Sequence, residues 1–295
     1  MQKEACTDRY QAFLRIVETG SFTRAAAALE VTQSAVSQAV SALEEDLQLK
    51  LLNRSRGGVS LTPDGKALFP YIERICYETR SLSEHAREIR GLETGTIRIG
   101  TMGSVSAHWL PSLIAAFQQH YPKIEFTILQ GDYLSIAEWV RQGAADFGFV
   151  NSRAIKGLRT FPVKSGRMLA VLPPGHPLST RETVPLAELA KERFILLEEG
   201  GYSEPLRAFE KEGLTPDIRY TIHDDYAIMN MVEAGLGVSM LAELMLRRID
   251  YKIAIRPTEP EVVRPISVCY KDRLSLTLAA RRFLELLKEN IPALP

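Results

Sequence analysis

Cysteine is scarce in this chain, with only Cys6, Cys76 and Cys269 among 295 residues. Their wide separation and the lack of any Cys-x-x-Cys pair exclude a disulfide framework, and buried structural thiols are the expected state of all three. The five histidines, at 85, 108, 120, 176 and 223, show no ligand-like spacing, so neither a metal site nor a cofactor is expected. Also missing are a Gly-x-Ser-x-Gly elbow, a Gly-x-Gly-x-x-Gly fingerprint after a strand and a Walker lysine, which argues against an enzyme. No hydrophobic run approaches a membrane span, and Met1-Gln2-Lys3-Glu4-Ala5 offers no apolar core for a signal peptide, so the expected location is cytoplasmic. Charge of one sign is missing as well: 36 Lys plus Arg balance 36 Asp plus Glu, and the chain as a whole advertises no affinity for a polyanion. With 45% hydrophobic residues it is still long enough for two or three globular units, each with its own core.

What is present starts near the amino terminus. A helix is expected over Asp8–Thr19, burying Phe13, Ile16 and Val17, then an alanine-rich helix over Thr23–Leu29 and a turn at Glu30-Val31. In the next helix Ala35, Val36, Ala39, Val40, Leu43 and Leu47 recur at the spacing of one buried face. The opposite face carries Gln33, Ser34, Ser37, Gln38 and Ser41 and no charge, whereas Glu44, Glu45 and Asp46 further along read as ordinary solvated acids. Short hydroxyls let a helix sit deep in a major groove, and a Gln pairs bidentately with an adenine edge. Thr32 is placed to cap this helix and to present its N–H groups to a phosphate. The basic residues Lys50, Arg54, Arg56 and Lys66 follow, as a wing that would touch phosphates. A small helical bundle with a Ser/Gln surface and a solvated basic loop is the alternative.

The fixed offsets favour the first reading. Ala25-Ala26-x-x-Leu29, Thr32-Gln33, Ser37, Leu43-Glu44, Leu47, Leu51, Arg54 and Leu61-Thr62-Pro63-Asp64-Gly65 resemble the amino-terminal signature of the LysR-type transcriptional regulators of bacteria. Two positions depart from the pattern. Gln48 stands where the family usually has a helix-terminating Gly, so it must turn left-handed or the helix must end differently. Leu52 stands where the family usually has Phe.

Thr62-Pro63 then reads as a cap followed by proline at the first helical position. Leu68, Ile72, Ile75, Thr79, Leu82, Ala86 and Ile89 alternate steps of four and three, a coiled-coil seam that needs a partner. Packing on the chain's own body is the alternative. The resemblance implies a dimerisation helix here, with Leu68, Ile72, Ile75, Leu82 and Ile89 at the seam, and a homodimer or homotetramer.

Beyond Gly91–Gly95 strands and helices alternate. Strands are expected at 96–100, 124–129 and 145–150, with helices at 109–121 and 135–142 between them, an order that implies parallel pairing. Further strands are expected at 168–172, 194–197, 219–222, 237–241 and 266–270, and a last helix at 276–289. With His176-Pro177-Leu178 and Val232-Glu233-Ala234-Gly235-Leu236-Gly237, this order resembles the two-lobed, periplasmic-binding-protein-like effector domain of the LysR family (type II). The expected fold class is therefore an α/β effector domain preceded by an all-α winged helix-turn-helix domain and a long linker helix. The expected boundaries are 1–62 for the winged domain, 63–92 for the linker and 93–295 for the effector domain. Lobe I takes about 93–161 and 267–295, and lobe II about 162–266.

Ligands of such sheets sit at the carboxyl ends of strands. Candidate effector contacts are Thr101, Met102, Gly103 and Ser104, with Gln130, Asn151, Gly201, Tyr202, His223 and Asp224 in the corresponding loops. Helix capping explains Ser104 equally well and is the alternative for Asp224, while packing is the alternative for Tyr202 and a hydrogen-bonded structural role that for His223. Free helix N–H groups at 101–104 favour an anionic effector. The resulting expectation is a sequence-specific regulator of promoter DNA carrying an inverted repeat. Thr32, Gln33, Ser34, Ser37, Gln38, Ser41, Arg54 and Arg56 touch the DNA, a small molecule bound between the lobes modulates activity, and RNA polymerase is a candidate partner. The competing class is an α/β small-molecule-binding protein or enzyme with a helical association domain.

Overall fold

The computed structural model describes residues 2–55, 58–89, 94–272 and 275–295. The chain divides into two compact units, Met1–Leu92 with Gln142–Ala144, and Glu93–Arg141 with Ala145–Pro295.

The first unit contains α1 (Gln2–Thr19), α2 (Phe22–Ala28), α3 (Gln33–Leu47), the antiparallel strands β1 (Leu52–Ser55) and β2 (Gly58–Leu61), and the long α4 (Pro63–Ile89). Local chemistry sets each boundary. Ser21 caps α2 by accepting from the N–H of Arg24, and Thr32 caps α3 by accepting from Ala35 N at 3.2 Å. The turn between them runs through Glu30 at φ 56°. Gln48, at φ 55° and ψ 32°, takes the left-handed conformation, and its N–H closes on the carbonyls of Glu44 and Glu45. At the start of α4, Thr62 Oγ1 accepts from Gly65 N at 2.9 Å and donates to Lys50 O at 2.6 Å. Gly65 is required there, because a Cβ would stand 2.1 Å from the Leu51 carbonyl oxygen.

Phe13, Ile16, Phe22, Ala25, Val36, Val40, Leu43, Leu51 and Ile72 form the core of this unit. The buried face of α3 differs from the expected one at both ends. Val36, Val40 and Leu43 are buried and Ala39 half-buried, but Ala35 lines an open groove beside α1 and Leu47 is exposed. Glu44 is buried in place of Leu47. Its Oε1 accepts from the N–H groups of Leu51 and Leu52 at 2.8 and 3.2 Å, and its Oε2 from Lys50 Nζ at 2.7 Å. The carboxylate thereby satisfies the backbone where the chain leaves α3 for β1.

The second unit is built on a mixed sheet whose strands lie in the order Ser239–Ala242, Arg159–Leu172, Ala254–Tyr270, Phe147–Val150, Gly95–Thr101 and Ile124–Gln130. Lobe I takes β3 (Gly95–Thr101), α5 (Gly103–His108), α6 (Leu110–His120), β4 (Ile124–Gln130), α7 (Tyr133–Gln142) and β5 (Phe147–Val150), with β3 parallel to both β4 and β5. Two long antiparallel strands, β6 (Arg159–Leu172) and β11 (Ala254–Tyr270), carry the sheet from this lobe into the next. Lobe II adds β7 (Val184–Pro185), α8 (Leu186–Leu189), β8 (Arg193–Leu197), α9 (Glu204–Lys211), β9 (Asp217–Ile222), α10 (Asp225–Glu233) and β10 (Ser239–Ala242); α11 (Leu278–Asn290) returns to lobe I. Three expectations change here. The helix expected at 109–121 is the later of two, α5 and α6, and the strands expected at 168–172 and 266–270 are the ends of much longer crossing strands. The other half of β6 is largely exposed, and that of β11 is for the most part at least half-buried and is interrupted by charged and proline residues. Lobe I is packed around Trp109, Phe117, Phe147, Phe149 and Phe283, and lobe II around Phe194, Phe209, Ile195 and Met229.

Candidate functional site

In the first unit α3 is held by Val36, Val40 and Leu43, and it turns Gln33, Ser34, Gln38 and Ser41 outward. Ser37 is half-buried. The hydroxyls of Thr32 and Ser34 are hydrogen-bonded to each other at 3.0 Å, so the cap and the first polar residue of the face are mutually oriented. Arg54 stands in β1 opposite Val59, but its side chain, and Arg56 altogether, lie outside the described residues. Of the basic residues expected in the wing, Lys50 is paired with Glu44. Burial pushes the Glu44 carboxyl up, but the hydrogen bonds from Lys50, Leu51 and Leu52 outweigh it and hold the group below its ordinary value.

The expected seam of α4 divides. Leu68 and Ile72 pack into the core of their own unit, whereas Ile75 and Leu82 are 42% and 71% exposed. The side chain of Ile89 lies outside the described residues.

In the second unit a cleft of about 540 Å³ opens between the lobes. Of the residues expected there, Met102, Gly103, Gln130, His223 and Asp224 line it. Gly103 lies close to Gln130, whose Nε2 would stand 3.2 Å from a Cβ on the glycine. Gly201 and Tyr202 are not among the lining residues; Tyr202 packs edge-on against Tyr133, with Arg207 over its ring. Thr101, Ser104 and Asn151 are buried. Thr101 donates to the Met102 carbonyl, and Ser104 faces Arg264 Nη1 at 3.3 Å instead of the cleft. Burial is the physical reason these hydroxyls are spoken for: sealed from water, they must find partners within the chain.

Residues that sequence reasoning missed form a buried network beneath the cleft, which reaches the lining at Tyr133 and Glu199. Arg264, almost wholly buried in β11, donates from Nε to Tyr133 Oη at 2.6 Å and from Nη2 to Glu199 Oε1 at 3.0 Å. Tyr133 Oη in turn donates to Glu204 Oε1 at 2.8 Å, and Asn151 Nδ2 reaches the same oxygen at 2.9 Å. Tyr133, Ser104 and Asn151 belong to lobe I and Glu199 and Glu204 to lobe II, so this network joins the lobes both through the Arg264 guanidinium and directly through the Glu204 carboxylate. Burial disfavours the charge on Arg264, yet Tyr133, Glu199 and Glu204 more than compensate and raise its pKa above the ordinary value. Burial also raises Glu199, with Arg264 opposing and Glu204 and Asp225 adding to the rise. One signal was available for Arg264, an arginine set in the apolar run Val262-Val263-Arg264-Pro265-Ile266, a costly position unless paired.

The cleft carries five carboxylates, Asp132, Glu198, Glu199, Asp224 and Asp225, and its lining holds no Lys or Arg among the described residues. Asp132 accepts from the N–H groups of Leu134 and Ser135 at the start of α7, and Asp224 from Ala227 N at the start of α10. The amino ends of α7 and α10 are thus occupied by the chain's own anions, whereas Met102 at the start of α5, where an anion was expected, makes no side-chain cap bond.

Among the described residues Cys76 and Cys269 are buried thiols outside any disulfide, and burial pushes Cys269 up to about 12. No helix there is long and apolar enough to cross a membrane, and no cluster of three metal-ligating side chains occurs.

Comparison with known proteins completes the picture. Residues 7–66 match the bacterial regulatory helix-turn-helix protein, lysR family, and residues 90–292 match the LysR substrate binding domain. The HTH-type transcriptional regulator YvbU of Bacillus subtilis is 33% identical over 281 residues, covering 94% of this chain and 96% of its own. The probable regulator LrrA of Synechococcus elongatus is 28% identical over 287 residues, 96% of each chain. Among solved structures, full-length OxyR from Pseudomonas aeruginosa superposes with a TM-score of 0.74 at 21% identity, covering 98% of this chain and 95% of that one. Full-length CbnR complexed with its target DNA gives 0.68 at 21% identity, covering 96% and 99%. The chain belongs to the LysR family of DNA-binding transcription regulators, with an amino-terminal helix-turn-helix domain and an effector-binding substrate domain.

Proposed function

We propose that α3 reads base edges through Gln33, Ser34, Ser37, Gln38 and Ser41 and that a small effector bound in the interlobe cleft sets the response. The uncharged outward face of α3, opposite a fully buried anchor, carries the first half of this reading. A helix that merely faced water would gain nothing from excluding Lys and Glu there. Thr32 offers the amino end of α3 to a phosphate, and Arg54 and Arg56 supply sequence-independent attraction. The protein works by binding, with no reaction of its own.

Two heads are supplied by pairing of α4 through the exposed Ile75 and Leu82, so the preferred DNA is an inverted repeat with half-sites spaced by about one helical turn or a multiple of it. The effector acts because the cleft is walled by both lobes, and a ligand that favours one lobe arrangement shifts its population. Protection mapping on the DNA upstream of the protein's own gene tests the assignment: a protected inverted repeat is expected, and uniform, sequence-independent protection would overturn it.

A further inference from the structure

The chemistry of the cleft wall points to a class of ligand, an inference that rests on the effector reading above. We propose that the interlobe cleft receives a cationic small molecule, an amine or guanidine on a compact hydrocarbon body, with its charge against Glu198, Glu199 and Asp225. Three independent observations carry this. First, five carboxylates line the cleft without a lysine or arginine among the described residues, and two of them, Asp132 and Asp224, occupy the amino ends of α7 and α10 at its wall. A carboxylate or phosphate entering there meets repulsion and finds those two helix ends taken.

Second, negative charge beneath the floor exceeds what the chain neutralises. Arg264 faces both Glu199 and Glu204. Glu204 is 4% exposed, and its Oε2 is a sealed polar atom without a hydrogen-bond partner. Such a group is costly to leave unbalanced, and Glu199 belongs to both the buried network and the cleft lining, so a cation arriving at Glu199 shares the charge that Arg264 alone now meets. Third, the remaining wall suits the rest of an amine. Tyr226, 46% exposed beside Asp225, presents an aromatic ring, and Met102, Leu197 and Met245 offer apolar surface for a hydrocarbon stem.

The test is titration of the full chain with matched probes, putrescine against succinate and benzylamine against benzoate, followed by calorimetry and by the shift in Tm. At least one amine is expected to bind and raise Tm while its carboxylate counterpart does not, with affinity falling as salt rises. Asp225→Asn and Glu198→Gln should each weaken binding about tenfold, the loss expected for one charge-assisted contact, and Ala107→Trp should abolish it by filling the mouth. Preference for the carboxylates, lost in Ala107→Trp, overturns the cationic class and leaves the cleft as the effector site. Binding of any probe that Ala107→Trp does not disturb places the ligand elsewhere and overturns both readings. Failure of every amine to bind overturns the cationic class.

Discussion

Glu44 ties α3 to the strand that follows it through three hydrogen bonds. It lies on α3, yet its carboxylate closes the backbone of Leu51 and Leu52 where the chain enters β1. Glu44→Ala is expected to destabilise the unit by about 2 kcal/mol, the cost of leaving buried donors unsatisfied, measured by urea unfolding of the full chain. Because its folded pKa is depressed, this contribution is complete above the ordinary carboxylate value and is lost as pH falls through the lower folded value. The gap between parent and variant should therefore close in acid; a gap that widens there would contradict the geometry. On the outward face, Gln38→Ala should relax base preference by about 1–3 kcal/mol at one position of each half-site. Arg54→Ala should weaken all sequences alike and flatten the salt dependence in the same competition assay. Glu44 was not legible as a structural residue, because its partners sit seven and eight positions away and become neighbours only when the chain folds back.

Among the elements, those governed by local rules were legible. The cap at Thr32, the three-and-four spacing of Val36, Val40 and Leu43, and the break at Gln48 each involve neighbours within one or two helical turns. Thr32→Ala should cost about 1 kcal/mol of unit stability. The linker helix was legible as a helix, but periodicity could not say which apolar residues meet the chain's own core. Ile72 does, and Leu82 does not. The two predict separate outcomes: Ile72→Asp should lower Tm through a buried unpaired charge, whereas Leu82→Asp should leave the fold intact and dissociate the oligomer in sedimentation. An unchanged sedimentation coefficient for Leu82→Asp would remove α4 as the pairing surface. The crossing strands were half legible, since only their buried halves, such as Met168–Leu172, read as apolar runs.

For the whole molecule, the family pattern of two α/β lobes was legible in the alternation of strands and helices, and the interlobe network was not. Arg264 meets Ser104, Tyr133 and Glu199 from 160, 131 and 65 positions away, a convergence that no local pattern encodes. Ser104 is buried in this network and is no place to probe the cleft. A bulky residue at 104 would disrupt the network, whereas Ala107 is exposed at the cleft wall. Ala107→Trp is expected to keep DNA binding while losing the transcriptional response to inducer in a reporter titration; an undiminished response would separate the cleft from regulation. The central claim, that the polar face of α3 reads sequence, is tested most directly by selecting binding sites for the full chain from a random duplex library, beside the same selection with Gln33→Ala. The account predicts one enriched inverted repeat for the parent and the loss of preference at a single position of each half-site for the variant. An identical repeat from both proteins, or no enriched repeat at all, would contradict it.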